Sequence, residues 1–340
     1  MITVIDPGNL TSFQDLGRVG YAHLGVPQAG AADSMSLRHA NLLVGNAEGS
    51  AALEMTVNGP TLRFETDAVV AFAGGRVEPT LDDMPIPMYQ SIAIHAGQTL
   101  ACGAILTGIR CYLAIAGGFS PNPTLASASS DTFAGLGPPV IRAGDRLSCE
   151  THSLHQGWYL RSPPEFSDEA ILRVIPGPHA DWFTPAAFEV LSGCTYVVRV
   201  ESDRTGLRLR GEDIRRGNHS ELSSQGMVTG AVQIPGDGQP IVLLSNHGTI
   251  GGYPVIAVVI HADLPRMGQL RSGAKLRFQP VSHEQALAEL RGSEAALHAA
   301  VASADSGLLA ARRLLVMAKA HPGLRQACLQ LERWRVNVRR

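Results

Sequence analysis

Short apolar runs, separated by glycine, proline and aspartate, follow one another through the first 280 residues. Runs of this length that are rich in β-branched residues predict strands. They are not interleaved with long helical patterns, so a doubly wound parallel sheet is disfavoured and a mainly β fold with some α is expected. The runs lie at 68–73, 91–95, 110–116, 171–175, 195–200, 241–244 and 255–260.

A few helices are predicted between the strands from their end signals. Asp33 can cap a helix over 34–44. Thr184 followed by Pro185 can begin a second helix, which stops at Gly193.

One local pattern, a glycine turn followed by alternating apolar positions, occurs at 94–100, 141–147 and 270–276. Glycine supplies the positive φ that such turns often require. The pattern is either a common turn or a sign of two related β units. In the second case the second and third copies close those units, near residues 150 and 280.

The length of 340 residues is enough for two hydrophobic cores. We therefore expect a first β-rich unit at 1–165 and a second β unit at 166–281. A capping-box pattern at 282–285 is followed by segments rich in Ala and Leu. Residues 282–340 are predicted to form a helical C-terminal extension, which packs on the body of the protein or on a partner.

Composition narrows the class of function. The formal net charge of -2 gives no electrostatic reason to expect nucleic acid or an anionic membrane surface as a partner. The five cysteines are scattered, which favours free thiols in a reducing compartment. No secretion signal follows Met1 and no apolar run approaches the ~20 residues of a spanning helix, so we expect a cytoplasmic protein.

Several common chemical motifs are absent from the sequence. It has no phosphate loop ending in Lys-Ser or Lys-Thr, no G-x-G-x-x-G and no serine elbow. The pair His152 and His155 lies in a polar stretch without further ligands, so no metal site is predicted. Lys319 follows Met317-Ala318 in a helical stretch rather than on a hairpin turn, so no covalently attached biotin is expected on this chain.

Three segments are unusually dense in polar and glycine residues. They carry, in order, T-S-x-Q-D-x-G-R-x-G, G-x-x-Q-(I/V)-P…G-x-P-I-V-L and T-x-G-G-Y-P, within 10–46, 226–241 and 246–264. This pattern resembles the carboxyltransferase-like family, from residue 1 to about residue 280. That family includes the C subunit of 5-oxoprolinase, the second subunit of allophanate-hydrolase-type proteins, the carboxyltransferase part of urea carboxylase, and a bacterial antagonist of a sporulation kinase inhibitor.

The resemblance implies two related β-barrel units of cyclophilin-like type. It also implies a direct partner, a homologue of the 5-oxoprolinase B subunit, and a functional partner, a homologue of the A subunit. Together they would open 5-oxo-L-proline, a small amide substrate, to L-glutamate with ATP, whose site is assigned to no subunit. Two alternatives stay open: a biotin-dependent carboxyltransferase component acting on urea or another amide, and a non-enzymatic antagonist of a kinase inhibitor.

The chain departs from the family pattern just before T-x-G-G-Y-P. Family members often carry an acidic residue and a glutamine or histidine there, where this chain has Asn246 and Gly248. Either substrate handling is altered or the carboxylate is not essential.

Three charged residues in the first unit are candidates for the site. Arg18 could clamp a carboxylate or phosphate with its fork of donors, or pair with Asp15. Asp33 is a candidate catalytic carboxylate whose alternative is the helix cap. Glu54 lies in a strand-like stretch where an unpaired carboxylate is costly, so it is either catalytic or part of a structural ion pair.

The second unit supplies the other candidates. His247 is the histidine chosen for proton transfer, because its ordinary pKa is near neutrality, although it could be a turn residue without a task. Gln233 could hold the edge of an amide, or satisfy buried backbone groups. Gly251 and Gly252 could let backbone amides approach an anion, or form a tight turn.

Two further residues of the same motif are predicted to bind substrate. Tyr253 would supply a flat wall and one hydroxyl, and Thr249 opens the motif.

Overall fold

The computed structural model of the protein describes residues 1–150, 157–218 and 220–303. The first unit contains the strands β1 (Ile2–Asp6), β2 (Leu10–Gln14), β3 (Ala52–Thr56), β4 (Thr61–Phe64), β5 (Ala68–Arg76), β6 (Thr80–Leu81), β7 (Met84–Pro85), β8 (Ile92–Ile94), β9 (Thr99–Ala101), β10 (Thr107–Ile115) and β11 (Arg146–Leu147). They form two antiparallel sheets, in the orders β11-β1-β4-β9-β6-β7 and β2-β3-β10-β5-β8.

Apolar side chains from both sheets enclose the first core. In β4, Leu62 and Phe64 are buried whereas Arg63 between them is exposed, as the period of two requires. β5 is buried along nearly its whole length because helix α1 (Ser34–Leu43) covers its other face, where Leu37 packs in a cluster with Val69. Burial on both faces explains why the apolar run at 68–73 is continuous rather than alternating.

The second unit is a closed barrel. The later strands are β12 (Trp158–Leu160), β13 (Glu169–Pro176), β14 (Tyr196–Val198), β15 (Gly206–Arg210), β16 (Gln225–Gly226), β17 (Ala231–Gln233), β18 (Ile241–Leu243), β19 (Ile250–Gly251), β20 (Val255–Val259), β21 (Lys275–Pro280) and β22 (Val301–Ser303). The barrel order is β13-β20-β17-β18-β15-β14-β21, and the parallel pair of β13 and β21 completes the ring. Closure removes the exposed sheet edges. The predicted fold class, mainly β with some α, is confirmed.

The three predicted glycine turns share one backbone conformation. Gly97, Gly144 and Gly273 have φ of 88°, 87° and 86°, and each precedes a strand, β9, β11 or β21. Only glycine adopts this conformation readily. The third copy closes the barrel as predicted, whereas β11 lies at the edge of the six-stranded sheet, beside β1.

The predicted helix ends are also present. The Asp33 carboxylate accepts from the Ser36 amide at the start of α1. Thr184 accepts from the Ala187 amide at the start of helix α2 (Pro185–Gly193). A four-residue helix, α3 (Leu264–Met267), follows β20.

Helix α4 (His283–Ala300) contacts both β units and begins at the predicted capping box of Ser282. Its Glu294 pairs with Arg38 of the first unit at 2.7 Å, and its Glu289 pairs with Arg173 of the barrel at 2.8 Å. Strand β22, which follows α4, pairs with β12. The first part of the predicted extension therefore packs on the body, while 304–340 lie outside the described residues. The predicted unit boundaries, 1–165, 166–281 and 282–340, stay predictions.

The described ranges lack two classes of feature. No helix there has the length and apolar character needed to cross a membrane. The same ranges hold no group of three or more His, Cys, Asp and Glu placed to bind a metal ion. The pair His152 and His155, and Lys319, lie outside the described residues.

Two glycines provide a matched test of how tightly the units meet. A Cβ at Gly268 would lie 2.2 Å from the Ala32 carbonyl oxygen, whereas a Cβ at Gly292 would meet no described atom within 4 Å. We expect Gly268→Ala to lower Tm by several degrees, because the backbone on both sides must shift. Gly292→Ala should raise Tm slightly, since alanine in an exposed helix gains about 0.5–1 kcal/mol over glycine. Thermal unfolding of both variants checks this, and equal changes in Tm would contradict it.

Candidate functional site at the junction of the two units

The first motif folds into a tight loop that is fastened to residues 127–130. Gly17 has a φ of 87°, and a Cβ there would lie 2.7 Å from the Gln28 carbonyl oxygen. The Asp15 carboxylate accepts from the Gly17 and Ala128 amides and from the Ser127 and Ser129 hydroxyls, at 2.5–2.7 Å. The glycine and aspartate of the motif are thus used to build the loop.

Arg18, the next residue of the motif, is buried with 2% of its surface exposed. Its Nη2 donates to the Ser129 carbonyl oxygen, whereas its Nε and Nη1 have no hydrogen-bond partner in the described residues. No carboxylate of those residues forms an ion pair with it. The alternative that Arg18 pairs with Asp15 is therefore wrong, because Asp15 is engaged by the loop.

Glu54 is the anionic centre of the junction. Its Oε1 pairs with Arg204 of the barrel and lies 3.4 Å from Arg110 Nε, while its Oε2 accepts from the Ala32 amide at 2.9 Å and the Tyr112 hydroxyl at 2.7 Å. Burial raises the pKa of Glu54, but Arg204, Arg110 and the two hydrogen bonds together hold that pKa below 4.5. Glu54 is thus a buried, ionised and fully engaged carboxylate, which supports the structural alternative.

Arg204 extends the network to the residue that departs from the family pattern. Its Nη2 donates to the Asn246 Oδ1 at 3.1 Å and to the Gly30 carbonyl at 2.5 Å. The Asn246 Nδ2 in turn donates to the Asp131 Oδ1 at 3.0 Å. An amide at 246 satisfies both neighbours, since it accepts from a guanidinium and donates to a carboxylate. An acid there would face the Asp131 carboxylate, which explains why this chain carries asparagine.

Asp33 is engaged in the same way as Glu54. Its Oδ1 caps α1 through the Ser36 amide, and its Oδ2 accepts from the Ser36 hydroxyl at 2.6 Å and the Gln269 Nε2 at 2.7 Å. Gln269 also joins the backbone of Arg110, which links the segment after α3 to β10. Burial raises the pKa of Asp33, and the hydrogen bonds oppose that change. The geometry favours the cap over a catalytic role.

His247 follows Asn246 directly and has 8% of its surface exposed. Burial lowers its pKa, so the ring is neutral at pH 7. Its Nδ1 lies 2.7 Å from the Gly248 carbonyl oxygen, which can only accept, so Nδ1 carries the proton. Nε2 is left as an acceptor without a partner in the described ranges, a state suited to proton transfer.

The T-x-G-G-Y-P motif lies farther along the same segment. Residues at 225–226 and 250–251 form a two-stranded ribbon, and Tyr253 is half exposed. A Cβ at Gly251 would lie 2.7 Å from the Gln233 Nε2, so this glycine makes room for a side chain of the protein itself. Gly252 is exposed, and the Thr249 carbonyl accepts from the Met227 amide. The segment is therefore open to solvent, but its first glycine is covered by Gln233.

The predicted site residues therefore fall into two groups. Glu54 pairs with Arg204 where the two units meet, and His247 directly follows Asn246 of the same network. Arg18 lies in the first unit, where its side chain donates to the Ser129 carbonyl. Gln233 and Gly251 contact each other in the barrel, and no hydrogen bond in the described ranges joins them to Arg18. Sequence reasoning missed Asp131, Arg110, Tyr112 and Gln269. The only signal for Asp131 is the polar run 127–131 that precedes it.

A family model, "Carboxyltransferase domain, subdomain A and B", matches residues 24–280, and the chain belongs to this family. Within it, the chain is 36% identical to the 5-oxoprolinase C subunit of Escherichia coli K12, over 84% of this chain and 93% of that protein. It is 34% identical to the 5-oxoprolinase C subunit of Haemophilus influenzae, over 86% and 94%.

The fold is also similar to that of a much longer protein. The urea amidolyase of Kluyveromyces lactis superposes with a TM-score of 0.81 at 31% identity, over 87% of this chain but 20% of that one. This chain thus corresponds to about a fifth of the length of that enzyme.

The ion pair of Glu54 predicts a specific pH dependence of stability. We expect Glu54→Gln to destabilise the protein by about 3–5 kcal/mol at pH 7, because two buried guanidinium groups lose their counter-charge. The folded-state pKa of Glu54 is lowered, so its contribution is fully present above 4.5 and is lost as pH falls through the folded value. Urea unfolding at several pH values should show wild type and variant converging on acidification.

The control is Glu65→Gln, which removes an exposed carboxylate that pairs with Arg146. It should change the urea midpoint little at any pH. A gap between wild type and Glu54→Gln that widens as pH falls would contradict an ionised Glu54.

Proposed function

We propose that this chain is the C subunit of an ATP-dependent 5-oxoprolinase complex, which opens 5-oxo-L-proline to L-glutamate with homologues of the B and A subunits. The observation that carries the proposal is length. The match spans almost the whole of the relatives named as the C subunit of 5-oxoprolinase, 93% and 94% of their own length. The urea amidolyase relatives match over only 17–18% of theirs.

The proposed reaction needs a group that binds the substrate carboxylate and a group that transfers a proton. Ring opening breaks the lactam C–N bond, adds the oxygen of one water to the carbonyl carbon and delivers a proton to the departing nitrogen. Arg18 has two donors for the substrate carboxylate that no described residue engages. Neutral His247, with Nε2 free to accept, would take a proton from the attacking water and return it to the nitrogen.

Hydrolysis of ATP to ADP and phosphate by the complex would supply the driving force for opening a stable amide. We assign the ATP-binding site to no residue of this chain. Arg18, the buried guanidinium with free donors, contacts the Ser129 carbonyl two residues before Asp131, and a polyanionic phosphate is disfavoured beside a carboxylate.

Partner binding is supported by exposed apolar side chains on the loops that carry the site. We call the set Leu16, Val19, Leu24, Phe133, Ile250 and Tyr253 the apolar rim. Val19 is 72% exposed and Phe133 67% exposed, so both side chains are available to a partner. We propose that the B-subunit homologue covers this rim and excludes water from the site.

A second candidate function is carboxyl transfer to urea or another amide. The observation that favours it is the TM-score of 0.81 with urea amidolyase, together with the family description. The remaining four fifths of that enzyme lie outside the match. Assembly with a biotin carboxylase and a biotin carrier, assayed for urea-dependent ATP turnover, separates it from ring opening.

The first prediction of the proposal concerns His247. In a complex reconstituted with the A-subunit and B-subunit homologues, His247→Ala should lower kcat for 5-oxoproline-dependent ATP turnover by about 10²- to 10⁴-fold, because proton transfer is lost. His95→Gln, which changes an exposed turn histidine of the first unit, is the control and should leave kcat unchanged. An unchanged kcat in His247→Ala would remove this residue from the mechanism, and no turnover in the wild-type complex would sink the proposal.

The second prediction concerns assembly. Phe133→Ser should weaken binding of the B-subunit homologue at least about tenfold, because an exposed aromatic anchor is removed from the apolar rim. Val200→Ser, which changes a 79% exposed residue of the barrel outside the rim, should bind as the wild type does. Titration calorimetry with the purified B-subunit homologue measures both, and equal affinities would show that the rim is not the interface.

A further inference from the structure

Unsatisfied polar atoms are concentrated at one place in the protein. Nine buried side-chain nitrogen and oxygen atoms of the described residues have no hydrogen-bond partner, and five of them lie on segments 14–18 and 130–131. These five are Gln14 Oε1, Arg18 Nε, Arg18 Nη1, Ser130 Oγ and Asp131 Oδ2. Buried polar groups are nearly always satisfied, so a cluster of exceptions points to a ligand site.

The two segments are held against each other. Arg18 Nη2 donates to the Ser129 carbonyl, and Gln14 Nε2 donates to the Ser130 carbonyl at 3.0 Å. A Cβ at Gly137 would lie 3.0 Å from Arg18 Nη2 and 2.1 Å from the Ser129 carbonyl. Asp131 follows Ser129 by two residues, so their Cα atoms are at most about 7 Å apart. The free donors and the free acceptor therefore lie on two segments that are in direct contact.

Arg18 differs from two other buried arginines, Arg110 and Arg204, in having no counter-ion among the described residues. Arg110 and Arg204 both have Glu54 as counter-ion, whereas Arg18 has no carboxylate in an ion pair among the described residues. A buried guanidinium with one hydrogen bond and no counter-ion is costly in free energy. Such a cost persists in native proteins mainly where a function needs it.

One carboxylate oxygen of Asp131 accepts hydrogen bonds, whereas the other has no partner among the described residues. Its Oδ1 accepts from the Phe133 and Ala134 amides at 3.0 Å and from the Asn246 Nδ2 at 3.0 Å. Its Oδ2 accepts from no donor of the described residues. This oxygen is thus fixed in position and ready to accept from an N–H group of a ligand.

We propose that Arg18 and Asp131 form an enclosed site for a small carboxylate that also carries an adjacent amide N–H. Arg18 Nε and Nη1 bind the carboxylate, and Asp131 Oδ2 accepts from the N–H. This assignment rests on the proposed function and sharpens it, because 5-oxo-L-proline carries a carboxylate on the carbon next to its lactam N–H. The general chemistry is that of any cyclic or acylated amino acid.

The alternative occupant of an arginine site, a phosphate, fits less well. Phosphate carries no N–H for Asp131 Oδ2, and its oxygens would be repelled by that carboxylate. A ligand with one negative charge and one donor satisfies both orphaned groups at once.

The loop 131–137 carries Asp131 at its start and reaches the surface. Its ends are joined by the backbone pair of Asp131 and Leu136, at 2.8 and 3.0 Å, and its tip at 132–135 is exposed. The same loop carries Phe133 of the apolar rim, so a partner that binds the rim contacts the loop directly.

The first test separates a ligand site from a structural role. Arg18→Met removes the unbalanced charge and keeps an unbranched side chain of similar reach. We expect Tm of the ligand-free chain to stay the same or rise, while 5-oxo-L-proline no longer raises it. Arg204→Met, which breaks the Glu54 pair, should lower Tm strongly and serves as the structural comparison. A comparable loss of Tm in Arg18→Met would overturn the proposal.

The second test uses four probes: 5-oxo-L-proline, 2-pyrrolidinone, tetrahydrofuran-2-carboxylate and inorganic phosphate. Calorimetry on the full chain, alone and with the B-subunit homologue, should show 5-oxo-L-proline binding most tightly. Arg18→Met should weaken that binding by at least about 30-fold, through loss of a charge-assisted fork. Arg142→Gln, an exposed turn arginine, is the control and should bind as the wild type does.

Asp131→Asn gives a further diagnostic result. Because three donors hold the Oδ1 position, the amide oxygen of asparagine will take that place and its NH2 will replace Oδ2. Binding of 5-oxo-L-proline should weaken, while tetrahydrofuran-2-carboxylate and phosphate should bind better than to the wild type. An unchanged order of affinities would exclude Asp131 from the site.

The outcomes distinguish this site from the proposed function. If 5-oxo-L-proline binding depends on Arg18 but the complex does not open the ring, the proposed site is supported and the proposed function is rejected. If the complex opens the ring but Arg18→Met leaves 5-oxo-L-proline binding unchanged, the proposed function is supported and the proposed site is rejected. If no probe binds, with or without the B-subunit homologue, the orphaned atoms are satisfied by water alone and the proposal fails.

Discussion

Glu54 and Arg204 place opposite charges where the two β units meet, and neither charge would be stable there without the other. Glu54 is 1% exposed and stands on β3 of the first unit, while Arg204 comes from the barrel 150 residues later. Since breaking a buried pair leaves an uncompensated charge, the two units are held in one relative position. That fixed position sets Asn246, and through it Asp131, against the first unit.

The glycine-rich motifs serve this arrangement more than they serve chemistry directly. Gly17 takes a positive φ at a point where a Cβ would lie within 3 Å of the carbonyl oxygens of 28 and 29, and the Asp15 carboxylate ties that loop to 127–129. Gly251 makes room for Gln233. Beside these structural contacts, polar atoms of Arg18, Asp131 and His247 have no hydrogen-bond partner in the described residues.

The sequence predicted what depends on a few neighbouring residues. The caps at Asp33 and Ser282 and the turn at Gly273 are decided locally, by side-chain oxygens and by positive φ. The Glu54 pair joins residues 150 positions apart, so the sequence could offer it only as one of two alternatives. The role of Asp131 could not be predicted from the sequence. Its Oδ2 has no partner among the described residues, and the absence of a partner depends on the positions of all the neighbouring groups in the fold.

Three buried arginines show how structure and function divide at this junction. Arg110 and Arg204 share Glu54 as a counter-ion and donate to backbone carbonyls, so each has a carboxylate partner within the protein. Arg18 is buried as deeply but keeps two donors that no described residue engages. The imbalance at Arg18 is therefore best understood as a preorganised binding group, whose counter-ion arrives with the substrate.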